Sequence, residues 1–229
     1  GLHRSLDLPA ALLGIMKSGA AYVPLDPGYP AARIAQMIAS AKLEYVITNK
    51  ELADQFPDVH TLCVDDQAVA DASAEQVRHP SENDDLIYAI FTSGSTGQPK
   101  AASVYHRGFE NLLHWYSIEL TLGPGDRTLI ISSPSFDLTQ KNFFAPLITG
   151  GTLILDDCHT YDISRITELI RHHQVTLINC TPSAFYPLVD AAAGEDYITL
   201  RSLRFAVLGG EPISISRLRA WLEHPNCKA

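Results

Sequence analysis

Phe91-Thr92-Ser93-Gly94-Ser95-Thr96-Gly97-Gln98-Pro99-Lys100 decides the reading of this chain. The stretch follows an apolar run, Leu86-Ile87-Tyr88-Ala89-Ile90, and gathers four hydroxyls, two glycines and one lysine into ten residues. That order predicts a buried strand leading into a loop rich in hydrogen-bond donors. Gly94 and Gly97 open backbone conformations closed to other residues, so amide N–H groups can converge on one point. Ser93, Ser95 and Thr96 add hydroxyl donors, and Lys100 adds a positive charge on a long stem. Converging donors with one cation suit a polyanion, most simply the phosphates of a nucleotide. The spacing Gly94-x-x-Gly97-x-x-Lys100 is not that of the G-x-x-x-x-G-K-[ST] nucleotide loop. Ser/Gly-rich segments after strands also serve as plain turns. On the residues alone both readings stand.

Working outward, composition narrows the field. A chain of 229 residues can hold one large domain or two small ones around a substantial core. Hydrophobic residues make up 46% and charged residues 19%, which fits a globular chain rather than a disordered one. Lys and Arg number 17 against 26 Asp and Glu, a net charge of −9. Such acidity argues against a nucleic-acid backbone or an anionic membrane as the main partner. It leaves room for ATP, whose phosphates need only local donors. Cys63, Cys158, Cys180 and Cys227 lie far apart and form no C-x-x-C pair. They read as unpaired thiols in a reducing compartment. No apolar run approaches membrane-spanning length and the start lacks a signal-peptide pattern, so the expected address is the cytoplasm.

Read in order, the chain alternates helices and strands. Residues 10–17 carry a helical apolar pattern stopped by Gly19, and residues 20–27 read as a short strand ending in prolines. Pro30 can open a helix holding Ile34, Met37, Ile38 and Ala41, followed by a strand over 44–48. Between residues 51 and 85 the pattern weakens around one short strand near 61–64. Beyond Lys100, helices are expected over 106–119, from the segment after Asp137 to Gly150, from Ser164 as cap, and over 184–190. Strands are expected over 128–131, 152–155, 175–179 and 205–208. Such alternation implies an α/β fold of mostly parallel sheets flanked by helices. His172-His173 reads as a solvated helix end rather than a metal-ligand pair.

Tyr88-Ala89-Ile90-Phe91-Thr92-Ser93-Gly94-Ser95-Thr96-Gly97-Gln98-Pro99-Lys100 resembles the phosphate-loop signature of the adenylate-forming superfamily. That superfamily includes acyl-CoA synthetases, luciferases and the adenylation domains of nonribosomal peptide synthetases. A match over so many positions is specific, and the one departure is Ala101 where the family usually has Gly. Met16-Lys17-Ser18-Gly19-Ala20-Ala21-Tyr22-Val23-Pro24-Leu25-Asp26 resembles the family's second core motif, a structural one. The resemblance implies part of the large N-terminal core of the adenylate-forming fold. Residues 1–80 would form a first α/β portion with a variable connection, and residues 81–229 an α/β portion with the phosphate loop and amino-acid pocket. The small C-terminal domain would lie outside this sequence. So would the family's magnesium ligand and ribose-binding aspartate, and the segment alone is then expected not to complete the reaction.

Residue by residue, the resemblance assigns ATP to Thr92, Ser93, Gly94, Ser95, Thr96, Gly97 and Lys100, with Thr92 and Lys100 catalytic. Gly210, Glu211 and Pro212 resemble the segment lying along the adenine, although an ordinary strand-end turn reads the same. Asp137 follows a strand and precedes a helix, where parallel-sheet proteins collect ligands, and on its own it also suits a helix cap. Phe136-Asp137-Leu138-Thr139 matches the motif in which an amino-acid-activating member grips the α-ammonium of its substrate. A carboxylate there favours an amino acid over the fatty or aryl acid of a related ligase. Matching outward, the pocket would be lined by Leu138, Lys141, Asn179, Val207 and Gly209. A lysine at that place implies a carboxylate or amide on the substrate side chain, as in Glu, Gln, Asp or Asn. Alternatively Lys141 turns to solvent or pairs with a protein carboxylate. The implied activity is ATP-dependent formation of an aminoacyl adenylate, with Mg2+, followed by loading on the phosphopantetheine thiol of a peptidyl-carrier protein. A related acyl-CoA or aryl-acid ligase and a non-catalytic nucleotide-binding remnant are the alternatives.

Overall fold

The computed structural model describes residues 1–75, 77, 79, 82–92, 100–158 and 160–229. Two compact units divide the chain, Gly1–Asn111 and Leu112–Ala229.

The first unit opens with α1 (Asp7–Lys17), whose Leu8 and Leu12 are buried. This helix begins earlier than its apolar pattern suggests, because Pro9 sits in the first turn, where a missing N–H costs nothing. Gly19 follows at φ +80°, a conformation that L side chains rarely adopt. The strand expected over residues 20–27 shrinks to a single parallel bridge, Tyr22 to Tyr88. Tyr22 N donates to Ile87 O at 3.1 Å and Ala89 N donates to Tyr22 O at 3.0 Å. Pro24 and Pro27 have no N–H, so that ladder cannot lengthen.

Helix α2 (Ala31–Ala41) buries Ile34, Met37 and Ile38 and ends at Lys42 in a left-handed conformation. Strand β1 (Tyr45–Thr48) pairs in parallel with β2 (His60–Cys63), Tyr45 opposite His60 and Thr48 opposite Cys63. The short α3 (Gln67–Ala70) comes next. Strand β3 (Leu86–Thr92) then pairs antiparallel with β4 (Lys100–Tyr105). Nothing in the apolar pattern announces β4: almost every residue of Lys-Ala-Ala-Ser-Val-Tyr is exposed, so no alternation appears. Phe91 of β3 packs in one cluster with Leu25, Ile34, Met37, Val46 and Phe56. Strands β3 and β4 therefore fold with the N-terminal elements, and the compact units part within α4 (His106–Glu119).

The second unit contains β5 (Arg127–Ile130), α5 (Asp137–Thr149), β6 (Thr152–Leu155), α6 (Ile163–His173), β7 (Leu177–Cys180), α7 (Pro182–Ala192), β8 (Phe205–Leu208) and α8 (Ile215–Leu222). Its four strands form one sheet in the order β6-β5-β7-β8, every pair parallel. Leu129, Ile166, Ile170, Ile178, Phe185, Leu188 and Trp221 pack together from strands and helices into its core. Helix α6 is capped by Asp162, which accepts from Arg165 N at 3.1 Å, and not by Ser164, which already lies inside the helix. The exposed His172 and His173 close the same helix. Helix α8 carries no strong sequence pattern, yet its Leu218 and Trp221 are buried. None of the four cysteines forms a disulfide, and burial pushes the Cys180 thiol up to about 12.

Candidate functional site

Within the second unit the chain leaves β5 for β6 on one side of it, then returns to β7 on the other side. The strand order therefore reverses between β5 and β7, and ligands of open parallel sheets collect at the carboxyl ends beside such a reversal. The segment after β5 leads directly into α5, and that places Asp137 there. The cap position is Phe136, whose side chain makes no capping bond, and Asp137 is the first helical residue. An acidic group in a first helical turn is favoured by the helix dipole. Asp137 is exposed.

One turn further in, α5 is buried on every side. Thr139, Gln140, Lys141, Asn142, Phe143, Phe144, Ala145 and Pro146 are all covered. The Lys141 ammonium donates to Leu138 O and to Asn179 Oδ1, each at 2.9 Å, and lies 5.3 Å from the centre of the Tyr116 ring. Burial lowers the Lys141 pKa to about 8, against the opposing pull of the Asp137 carboxylate. The lysine does not turn to solvent, the alternative expected for it: it points inward, and two neutral oxygens hold it.

Asn142 Nδ2 donates to the same two acceptors, Leu138 O at 3.0 Å and Asn179 Oδ1 at 2.9 Å. Asn179 Nδ2 in turn donates to Val207 O at 2.7 Å, consistent with the pairing of Asn179 and Val207 across β7 and β8. A Cβ added at Gly209 would fall 3.2 Å from Leu138 Cδ1, so the missing side chain is what lets Leu138 close on β8. Five of the residues expected to line the pocket, Leu138, Lys141, Asn179, Val207 and Gly209, are thus brought together. Asp137 stands at their edge.

Beyond β8, Gly210 adopts φ +84°. Glu211 accepts from Ser183 N at 3.0 Å and Ser183 Oγ at 2.9 Å, which ties the turn to the first turn of α7. Glu211 and Pro212 are exposed. In the first unit, Thr92 ends β3 and pairs with Lys100, which begins β4; Thr92 Oγ1 donates to Lys100 O at 3.4 Å. Both residues are exposed and stand side by side where residues 93–99 join the two strands. Ser93, Gly94, Ser95, Thr96 and Gly97 lie outside the described residues.

Sequence reasoning passes over two members of the buried network, Tyr116 and Asn142. The Tyr116 hydroxyl donates to Asn142 Oδ1 at 3.0 Å, and burial raises its pKa. The available signal was a run of polar residues, Thr139-Gln140-Lys141-Asn142, directly before the apolar Phe143-Phe144-Ala145 of the same helix.

The profile of the AMP-binding enzyme family matches residues 2–229. The chain belongs to that family. Surfactin synthase subunit 2 of Bacillus subtilis (strain 168) is 34% identical over 215 residues, 93% of this chain and 6% of its own length. Dimodular nonribosomal peptide synthase of the same organism is 35% identical over 246 residues, 98% of this chain and 10% of its own length. Among solved structures, the nonribosomal peptide synthetase FmoA3 superposes with a TM-score of 0.89 at 30% identity, covering 96% of this chain and 24% of that one. Its AMPPNP-bound form superposes with a TM-score of 0.88. The chain therefore spans a tenth or less of these two relatives' length and about a quarter of FmoA3. Mostly parallel sheets flanked by helices are the architecture it shares with that structure.

Proposed function

We propose that the protein containing this chain activates an amino acid with ATP for nonribosomal peptide synthesis. One observation carries the reading: Asp137 opens α5 at the strand-order reversal, beside a floor made by Leu138, Lys141, Asn179, Val207 and Gly209. An exposed carboxylate at the rim suits the α-ammonium of an amino acid, while the small and apolar groups leave room for its side chain. A substrate carboxylate oxygen attacks the α-phosphorus of ATP, forming the aminoacyl adenylate as the bond to pyrophosphate breaks. The phosphopantetheine thiol of a peptidyl-carrier protein then displaces AMP.

Residues 92–100 hold the β- and γ-phosphates in this reading, with Lys100 as counter-charge and Thr92 as hydroxyl donor. Gly210, Glu211 and Pro212 lie along the adenine. Mg2+ accompanies the nucleotide. Among the described residues no three His, Cys, Asp or Glu side chains converge into a metal site, so no residue here is assigned to it. Lys141 has three N–H groups and spends two on Leu138 O and Asn179 Oδ1. The third favours a substrate side chain carrying a carboxylate or amide, as in Glu, Gln, Asp or Asn. Among the described residues no helix is long and apolar enough to cross a membrane; we place the protein in the cytoplasm, where ATP and amino acids are at hand.

ATP–pyrophosphate exchange by the full-length protein tests this. Exchange should require an amino acid, and Asp137→Ala should lower kcat/KM for it roughly a hundredfold, the worth of a charge-assisted hydrogen bond. Exchange driven equally well by acids lacking an ammonium would overturn the reading. Best activity with a bulky apolar amino acid would overturn the assignment of side-chain class alone.

A further inference from the structure

The polar network beneath the proposed pocket is closed at both ends and almost dry. Tyr116 is 2% exposed, Asn142 1%, Asn179 2% and Lys141 8%. It runs from α4 through α5 to β7 and β8: Tyr116 hydroxyl to Asn142, Asn142 to Asn179, Asn179 to the Val207 carbonyl. A carboxamide can sit either way round, and its neighbours choose. Here the Tyr116 hydroxyl donates to Asn142 Oδ1, which turns the Asn142 amino group toward Leu138 O and Asn179 Oδ1. Those are the two oxygens that hold the Lys141 ammonium. Two donors thus share one pair of neutral acceptors, and neither oxygen gives the lysine its full electron density.

We propose that Tyr116 and Asn142 are positioning residues: through the acceptors shared with Lys141 they fix where its ammonium sits and whether it stays charged, and so set how tightly the amino-acid side chain binds. The inference rests on the amino-acid reading of the same site. The charged and titratable groups facing Lys141 among the described residues are Asp137 on its own helix and Tyr116 on α4. Strands β7 and β8 contribute the Asn179 amide and, through it, a backbone carbonyl. With burial holding Lys141 near 8, a small change in its acceptors changes its charge across the working pH range. Asn142→Asp keeps the size of the side chain and puts a carboxylate beside the ammonium. Tyr116→Phe removes only the hydroxyl that orients the amide.

The test is KM for the amino acid in pyrophosphate exchange by the full-length protein, from about pH 6.5 to about 9.5. The ammonium of the substrate titrates alike in every variant, so differences between profiles are what count. Wild type should show an inflection near 8, absent in Lys141→Met. Asn142→Asp should move it upward by about one pH unit or more, as an adjacent carboxylate favours the ammonium. Tyr116→Phe should raise the amino-acid KM roughly three- to tenfold, the usual worth of one buried hydrogen bond, while KM for ATP changes by less than about twofold. Profiles of Asn142→Asp and Tyr116→Phe that superimpose on wild type would overturn the proposal, as would equal rises in both KM values. If wild type exchanges no amino acid at all, the functional reading fails first. The Lys141 titration, followed by NMR through isotope-labelled Cε atoms of the lysines, still judges the network: a midpoint that moves up in Asn142→Asp supports it, and one that does not move overturns it.

Discussion

Lys141 gives the residue scale its clearest energetic consequence. Burial holds its pKa at about 8 in the folded chain against 10.5 for an ordinary lysine. Below about pH 8 both folded and unfolded chains are protonated and the folded one bears the full cost of the buried charge. Between about 8 and 10.5 the folded chain has released the proton that the unfolded chain keeps, so stability rises with pH there. The displacement corresponds to about 3 kcal/mol at most, and the hydrogen bonds lost with the ammonium offset much of it. Lys141→Met nevertheless strands neither acceptor, because Asn142 Nδ2 donates to both. Thermal unfolding of this variant at pH 7 should give a melting temperature about 2–4 °C above wild type, an increment of about 1 kcal/mol. The advantage should fade as pH approaches the ordinary lysine value. A lower melting temperature at pH 7 would show that the ammonium stabilises the fold. At this scale the site was half legible: Asp137 and Leu138 stand in one recognisable motif with Lys141 two residues beyond it, whereas Tyr116 is an aromatic at helical spacing that looks like any core residue. Its hydroxyl matters only once the fold lays α4 over α5.

At the scale of elements, legibility followed burial pattern. Strands β5, β6 and β8 are short apolar runs flanked by breakers, and the expected ranges lie within one residue of the observed ones. Strand β4 escaped because both its faces are exposed, and residues 20–27 failed to form a strand because prolines remove the donors. Helix α5 inverts the usual rule, since its polar residues lie inside, paired with one another and with backbone carbonyls. The start of α6 makes a sharp test of local physics. Asp162 and Ser164 are both good caps by type, yet only Asp162 sits in extended backbone with its carboxylate on Arg165 N. Asp162→Ala should cost about 1 kcal/mol in urea unfolding, and Ser164→Ala less than about 0.5 kcal/mol. Reversed values would place the cap two residues later than the structure does.

Across the whole molecule, helix–strand alternation sufficed to foresee parallel sheets, but not the order β6-β5-β7-β8, which depends on contacts far apart in sequence. Asp126 is where several of those contacts meet. It is 3% exposed, just before β5, and its carboxylate accepts from Gly123 N at 2.9 Å, Thr176 Oγ1 at 2.8 Å and Arg204 Nη1 at 2.6 Å. Arg204 Nη2 reaches on to Thr121 Oγ1 at 3.1 Å. Thr176 Oγ1 also receives Arg127 N at 2.9 Å, so one hydroxyl joins the lead-in of β7 to β5. A single carboxylate therefore aligns the starts of β5, β7 and β8 and helps to choose which strands are neighbours. Its partners differ in exposure: the Arg204 side chain is 42% exposed and can return to water, whereas Thr176 and Gly123 are half-buried and lose the acceptor for Oγ1 and N. Asp126→Ala should therefore cost about 3 kcal/mol, within the range for breaking a buried, hydrogen-bonded charge, while Arg204→Ala costs nearer 1–2 kcal/mol. The double variant should lose less than the sum, because both changes remove the same contact. Urea midpoints for the two single variants and the double measure all three quantities. Additive losses would mean that the arginine steadies β8 through its stacking on Phe205, 5.1 Å from the ring centre, rather than through the carboxylate.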